Sequence, residues 1–186
     1  MVFLIKYLTH THMLSFDIET TGLNPTDRIT AACAYDPVEK IQATFIFPTG
    51  GDPEEFMQLL DNAQTLCAFN GARFDIPFIQ RAWGVPEDRV ARWILKLVDV
   101  YDMCYLVFKK GFSLNRLLTL NQIPVKTGDG KEAIELALQN KWQELGDYCM
   151  QDTIKTHTVT SLPVIKLPLT HCQSEVQLNS LLFQVV

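Results

Sequence analysis

The order of apolar segments predicts an α/β domain in which one mixed sheet is flanked by helices. Three short β-compatible runs come first, followed by a helix, a strand, a second helix and a fifth strand, and the rest of the chain has mainly helical patterns. With 186 residues, 47% of them hydrophobic, the chain can bury one sizeable core but not two. We therefore expect a single globular domain.

The three opening runs predict an antiparallel meander. Met13 to Ile18 is an apolar run that leads into the polar turn Glu19-Thr20-Thr21-Gly22, so we expect a central strand that ends in a loop. Ile29 to Tyr35 and Ile41 to Phe47 are the next two strands, and Asp36-Pro37 forms the turn between them.

Helices and strands alternate in the middle of the chain. Asp52 and Pro53 begin a helix that should run to about Ala63, because Asp caps free amides and Pro is tolerated at the first helical position. Three predicted elements follow: a strand from Thr65 to Phe69, a helix from Ile76 to Trp83 that Gly84 ends, and a fifth strand from Leu95 to Val100.

The last part of the chain is predicted to be mostly helical. Helices are expected over Met103 to Lys109, Ser113 to Leu120, Glu132 to Gln139 and Trp142 to about Thr160. Beyond Pro163 the pattern predicts no element, and this segment is either a docked tail or a partner-binding extension. We expect a domain over residues 1–162 and a C-terminal extension of unknown role over 163–186.

Charge and cysteine usage limit the classes of protein. A net charge of −5 argues against binding nucleic acid mainly by bulk positive charge. It does not exclude a nucleic-acid enzyme, since acidic residues gathered around metal ions are neutralised there. Five widely spaced cysteines without a C-x-x-C pair indicate reduced, mostly buried thiols. The short apolar run at Val2 to Ile5 is neither a signal peptide nor a membrane span, so we expect a soluble intracellular protein without membrane contact.

Asp17 and Glu19 are the first candidate metal ligands. They lie two apart at the end of the first strand, so both side chains project to the same face. Two close carboxylates in an apolar sheet repel each other, and a divalent cation such as Mg²⁺ or Mn²⁺ relieves this repulsion. The alternative is a solvated strand end followed by a turn.

Two further segments carry candidate acidic residues. Asp75 stands two residues before Pro77, where it is either a ligand or a helix cap. Tyr148 and Asp152 are four apart on a predicted helix, which places the phenol and the carboxylate on one face. A half-buried Tyr beside a surface Asp is the alternative for this pair.

The segments FDIETTGL, FNGARFDIPF and YCMQD together resemble the three exonuclease motifs of the DEDD exonuclease superfamily, over roughly Leu14 to Val159. All four acidic positions are filled. Tyr148 fits the tyrosine subclass, whereas Asp147 stands where the histidine subclass would have His. The second and third motifs are most similar to the exonuclease domains of family B DNA polymerases and of small stand-alone relatives.

The resemblance implies a ribonuclease H-like fold, with a mixed five-stranded sheet flanked by helices, and catalysis with two divalent metal ions, Mg²⁺ or Mn²⁺. By this analogy Asp17 bridges both ions, Glu19 and Asp152 complete the first site, and Asp75 holds the second through water. Tyr148 and Glu19 would orient the attacking water.

The resemblance also implies contacts with the substrate strand. Leu23 matches the position of an apolar wedge against the terminal base, and Phe74 either stacks on a base or sugar or packs in the core. Thr20, Asn70 and the loop Lys126 to Lys131 would meet the backbone, although Asn70-Gly71 and the loop are also plain turns.

The implied activity is 3'-5' exonuclease hydrolysis of single-stranded DNA, or of the 3' ends of duplex DNA, with release of nucleoside 5'-monophosphates. An exoribonuclease of the same fold is one alternative, and a catalytically silent nucleic-acid-binding module is the other. The enzyme would work alone or be recruited to a replication or repair protein. The sequence does not distinguish proofreading, repair, recombination and turnover.

Overall fold

A computed structural model describes residues 12–24, 26–102, 105, 111–125, 130–166 and 177–179. Its main sheet is formed by β1 Met13–Thr20, β2 Ile29–Asp36, β3 Ile41–Ile46, β4 Thr65–Ala68 and β5 Leu97–Asp99, in the order β3-β2-β1-β4-β5. β2 is antiparallel to both β1 and β3, whereas β4 is parallel to both β1 and β5. The predicted mixed five-stranded sheet and its opening meander are confirmed.

The helices with defined bounds are α1 Pro53–Asn62, α2 Asp75–Trp83, α3 Glu87–Leu95, α4 Leu114–Leu120, α5 Gly130–Leu138 and α6 Trp142–Thr160. Local chemistry fixes several of their ends. The Asp52 side chain accepts a hydrogen bond from the Glu54 amide and caps α1, and Gly84 ends α2 with a φ of 65°. Ser113 caps α4 in the same way as Asp52 caps α1, through the Arg116 amide.

The sequence prediction missed α3 and started β5 too early. Most of α3 is charged or exposed, and among its side chains only Trp93 is fully buried. The helix is fixed by tertiary contacts, since Arg89 forms ion pairs of 2.9 Å with Glu54 and 2.7 Å with Asp61 from α1. Leu95 therefore ends a helix rather than beginning a strand. The helix predicted from Met103 to Lys109 lies, apart from Tyr105, outside the described residues.

The sheet is covered on both faces. β2 shows this directly, because Ala31 and Cys33 face one layer while Ala32 and Ala34 face the other, and all four are fully buried. α1, α2 and α3 pack on the Ala32 side, and α5 and α6 pack on the Ala31 side. Asp17 lies opposite Cys33 and Glu19 opposite Ala31 in the strand register, so both acidic side chains belong to the face under α5 and α6.

A small hairpin follows α6. β6 Val164–Lys166 and β7 Gln177–Asn179 form an antiparallel two-stranded sheet. Ile165 is 1% exposed and packs with Leu117, Leu118 and Val159. Asn121 donates to the Lys166 carbonyl and accepts from the Lys166 amide. The start of the segment after Pro163 is therefore docked on the domain.

Within the part of the chain that the structure describes, no helix is both long and apolar enough to span a bilayer.

Candidate metal centre

Asp17 and Glu19 end the central strand, and a third ligand atom comes from α6. Among the described residues, ligand atoms of Asp17, Glu19 and Cys149 lie within 4.8 Å of one another. The Cys149 thiol donates to the Asp17 backbone carbonyl at 3.6 Å and lies 3.9 Å from Asp17 Oδ2. Cys149 was not among the predicted site residues. Its position three residues before Asp152 on one helix was the signal available in the sequence.

Asp75 reaches the same strand from α2. It is buried, and its Oδ1 accepts a hydrogen bond of 3.1 Å from the amide of Ile18, between Asp17 and Glu19. The carboxylate therefore points to β1, so the role of Asp75 is not limited to the first turn of α2. The turn before Asp75 needs a glycine at position 71, because a Cβ there would lie 2.5 Å from the Ala68 Cβ.

The loop that leads to Asp75 is held from β5. Asp99 is buried and accepts hydrogen bonds from the amides of Asn70 at 2.9 Å, Ala72 at 2.9 Å and Asp102 at 3.1 Å. Asn70 has a φ of 69°, so the chain turns sharply at the first residue of this loop. Burial raises the pKa of Asp99. Asp99 therefore acts as a buried carboxylate that organises backbone amides.

Tyr148 and Asp152 lie one turn apart on α6, as their spacing predicted. Tyr148 is half-buried, and Asp152 is partly buried. Lys155 follows on the same face and places its Nζ 3.5 Å from Asp152 Oδ1. Asp147 is exposed and accepts from the side chain of Gln143, so it is directed away from this face.

The acidic side chains raise one another's pKa. Burial raises the pKa of Asp17 well above its ordinary value, and the charges of Glu19, Asp75 and Asp152 add to this effect. Burial likewise raises the pKa of Glu19, with further contributions from Asp152 and Asp75. The four carboxylates of the three segments are therefore coupled through their charges.

Asp75 and Tyr148 are perturbed in the same direction. Burial raises the pKa of Asp75 to about 7, although the hydrogen bond from Ile18 opposes the change. Burial also raises the pKa of Tyr148 above its ordinary value, and the charges of Asp152, Glu19 and Asp17 contribute. The Tyr148 phenol therefore keeps its proton at neutral pH.

The predicted substrate-binding residues differ in their exposure and in their contacts. The Thr20 hydroxyl donates to the Gly22 carbonyl at 2.7 Å and is buried in its own turn. Leu23 is 80% exposed. Phe74 is partly buried against the main core, with its ring 5.6 Å from that of Phe78. Residues 126–129 of the predicted contact loop lie outside the described residues.

This donor set fits a hard divalent cation. Carboxylate oxygens are the ligands that Mg²⁺ and Mn²⁺ prefer, and the raised pKa values of Asp17 and Glu19 show how much a positive charge would relieve the cluster. Asp152 and Asp75 are outside the 4.8 Å group among the described residues. They interact with its members at longer range.

Comparison with known proteins agrees with this architecture. The RNase_H_2 family model, described as RNase_H superfamily, matches residues 14–162. The chain belongs to the RNase H superfamily. The expected ribonuclease H-like fold is thereby confirmed, and the chain is placed among nucleases that generally use divalent metal ions.

A solved structure shows the same fold. The family B DNA polymerase from the hyperthermophilic archaeon Pyrobaculum calidifontis matches with a TM-score of 0.61 and 17% sequence identity. The match covers 86% of this chain and 27% of the polymerase chain, so this chain spans about a quarter of that protein. No curated protein sequence matches significantly.

Proposed function

We propose that this member of the RNase H superfamily is a metal-dependent 3'-5' exonuclease that removes nucleotides from the 3' end of single-stranded DNA and releases nucleoside 5'-monophosphates. The observation that best supports the proposal is the acidic cluster on β1, where Asp17 and Glu19 lie together and Asp75 accepts a hydrogen bond from the Ile18 amide between them. We assign Asp152 and Tyr148 of α6 to the same site because their pKa values and those of the cluster are coupled through charge. The proposed catalytic domain covers residues 1–162, and the start of the proposed extension over 163–186 is docked on it through Ile165.

In this proposal Asp17, Glu19 and Asp152 would hold one divalent ion, and Asp75 together with Asp17 would hold a second. When bound, the ions supply charge stabilisation of the phosphate and activate water. The chain's own contribution is to hold the carboxylates in place before substrate arrives. The Ile18 amide fixes Asp75 on β1, and Asp99 fixes the loop in front of it.

Tyr148 orients the attacking water by donating a hydrogen bond, with Glu19 as the acceptor on the other side. Its raised pKa means that the phenol acts as a donor and not as a base at neutral pH. The similarity in fold to a family B DNA polymerase supports DNA as the substrate. In this assignment the exposed Leu23 contacts the terminal base, while Thr20, Asn70 and Phe74 border the strand.

The test is a time course with a 5'-labelled single-stranded DNA oligomer in Mg²⁺ or in Mn²⁺, beside an RNA oligomer of the same sequence. We expect a one-nucleotide ladder that shortens from the 3' end, faster on DNA, and no ladder with excess chelator. Asp17→Ala should lose nearly all activity. Asp147→Asn is the matched control, because Asp147 is an exposed carboxylate one residue before Tyr148 and should leave the rate unchanged.

The other outcomes are equally informative. Faster degradation of RNA would replace the DNA assignment by an exoribonuclease. Binding of DNA and RNA without degradation, by folded wild-type protein in both metals, would contradict the exonuclease proposal and support a silent nucleic-acid-binding module.

A further inference from the structure

Lys155 is a cation placed beside the proposed metal ligands. Its Nζ lies 3.5 Å from Asp152 Oδ1, and the two side chains are only 14% and 25% exposed. The same helix carries a geometrically similar pair, Lys141 and Glu144, also three apart and also 3.5 Å between charged atoms. That second pair is 45% and 59% exposed, so water screens it far more.

The two lysines differ also in the charges that lie near them. Asp152 acts on Asp17 and Glu19, and the carboxylates of this cluster repel one another. A positive charge at Lys155 offsets part of that repulsion in the metal-free protein. Lys141 stands at the beginning of α6, about 21 Å along the helix axis from Lys155 at 1.5 Å per residue.

We propose that Lys155 is a positioning residue that sets the metal affinity of the carboxylate cluster, by holding Asp152 in the metal-free protein and releasing it when a divalent cation binds. This inference rests on the metal site of the proposed function but does not require turnover. The ammonium group and the cation are both attracted to Asp152, and their positive charges repel each other, so each weakens binding of the other. Once the ion pair with Asp152 is broken, the ammonium group of Lys155 stays near the site, because it is attached through a flexible side chain.

The first measurement is Mn²⁺ binding to the full chain, followed by electron paramagnetic resonance of the free ion. Lys155→Met should lower the dissociation constant by at least about threefold, because a nearby positive charge no longer opposes the cation. Lys155→Arg keeps the charge and should stay close to wild type. Lys141→Met is the matched control and should also stay close to wild type.

A second measurement is thermal unfolding in excess chelator. Lys155→Met should unfold at a lower temperature than Lys141→Met, because Lys155, unlike Lys141, is paired with an acid of the cluster. Added Mg²⁺ should then raise the unfolding temperature of Lys155→Met more than that of wild type. Lys155→Gln repeats both measurements if Lys155→Met does not fold.

The inference is overturned if Lys155→Met binds Mn²⁺ as wild type does, if Lys155→Arg matches Lys155→Met, or if Lys141→Met shows the same shift. Wild type that binds no Mn²⁺ would overturn it too. A protein that degrades neither DNA nor RNA but shows the predicted binding shifts would contradict the exonuclease proposal and leave the role of Lys155 supported.

Discussion

Tyr148 shows how a single side chain takes its chemical character from its neighbours. The phenol is half-buried on α6, and burial raises its pKa, with further contributions from the charges of four acidic residues, Asp152, Glu19, Asp17 and Glu132. A phenolate there would be both desolvated and repelled. The residue is therefore suited to donate one hydrogen bond over the whole neutral and mildly basic range.

Tyr148→Phe should lower the turnover of the proposed nuclease by roughly 10- to 100-fold, the loss of one hydrogen bond in the transition state. Because the wild-type phenol stays protonated, the ratio of wild-type to variant rates should be constant between about pH 6 and about pH 9. Turnover rates of wild type and Tyr148→Phe measured across this pH range test the prediction. A ratio that rises steeply with pH would show that the phenol acts by losing its proton.

The candidate metal ligands and Tyr148 could be named from the sequence, whereas the residues that contact or support them could not. Asp17 and Glu19 were predictable because strand alternation alone puts them on one face, and Tyr148 with Asp152 because helical spacing does. Cys149 and Lys155 each lie three residues from Asp152, so helical spacing places them near it, but their position relative to Asp17 and Glu19 depends on the way α6 packs on β1. Asp99 acts across 27 or more residues on the loop before Asp75, so its role also depends on the tertiary fold.

At the scale of elements, α6 can lie close to the sheet because residue 146 is a glycine. A Cβ at Gly146 would be 2.9 Å from Thr44 Cγ2 on β3 and 3.4 Å from Ile46 Cδ1. The Cys33 thiol donates to the Gly146 carbonyl at 3.7 Å from the same side. Gly146 is two residues before Tyr148 on α6, so this close contact sets the distance of Tyr148 and Cys149 from β1.

Gly146→Ala should lower the free energy of unfolding by about 1–3 kcal/mol, because the added methyl group overpacks a tight interface. Thr44→Ser keeps the hydroxyl and removes the methyl group that the new Cβ at position 146 would meet. The double variant should therefore be at least as stable as Thr44→Ser alone, since Ala favours the helix over Gly. Denaturant unfolding of the four proteins tests this. Additive effects of the two substitutions would contradict the predicted contact.

Element prediction failed where stability comes from partners distant in sequence. α3 has apolar residues at helical spacing, Val90, Trp93 and Ile94, but it is only nine residues long. It is also held by ion pairs of Arg89 with Glu54 and Asp61 and by the Trp93 indole, which donates to Asp61 at 2.7 Å. The β6–β7 hairpin was missed for a similar reason. Its first strand is fixed by Asn121, 45 residues earlier.

At the scale of the whole molecule, burial of the acidic cluster makes the stability of the protein depend on pH when no cation is bound. The pKa of Asp75 is about 7 in the folded chain, against an ordinary value of 3.8. Between these values the folded state binds more protons than the unfolded state does. Its contribution to stability is therefore fully present at low pH and is lost as pH rises through about 7.

In excess chelator, wild type should lose stability relative to Asp75→Asn as pH rises from about 6 to about 8. Asparagine can still accept from Ile18 but carries no charge. The paired comparison cancels the opposite contribution of His157, whose pKa is lowered by burial. Unfolding temperatures of the two proteins check this, and a difference independent of pH would contradict it.

Mg²⁺ should stabilise the folded protein at pH values at which the carboxylates of the cluster have lost their protons. Added Mg²⁺ should raise the unfolding temperature of wild type more at about pH 8 than at about pH 6, because protons compete with the cation for the same oxygens. Asp17→Asn should show a much smaller effect at both values. An equal effect of Mg²⁺ in wild type and in Asp17→Asn would place the ion elsewhere.

The docking of β6 has a practical consequence for where this domain can be cut. The family match stops at residue 162, yet Ile165 fills a place among Leu117, Leu118 and Val159. A protein shortened at that boundary would open an apolar surface and leave the Asn121 amide without the Lys166 backbone. The minimal folding unit therefore reaches at least Lys166, and a boundary drawn from sequence similarity would yield an aggregation-prone fragment.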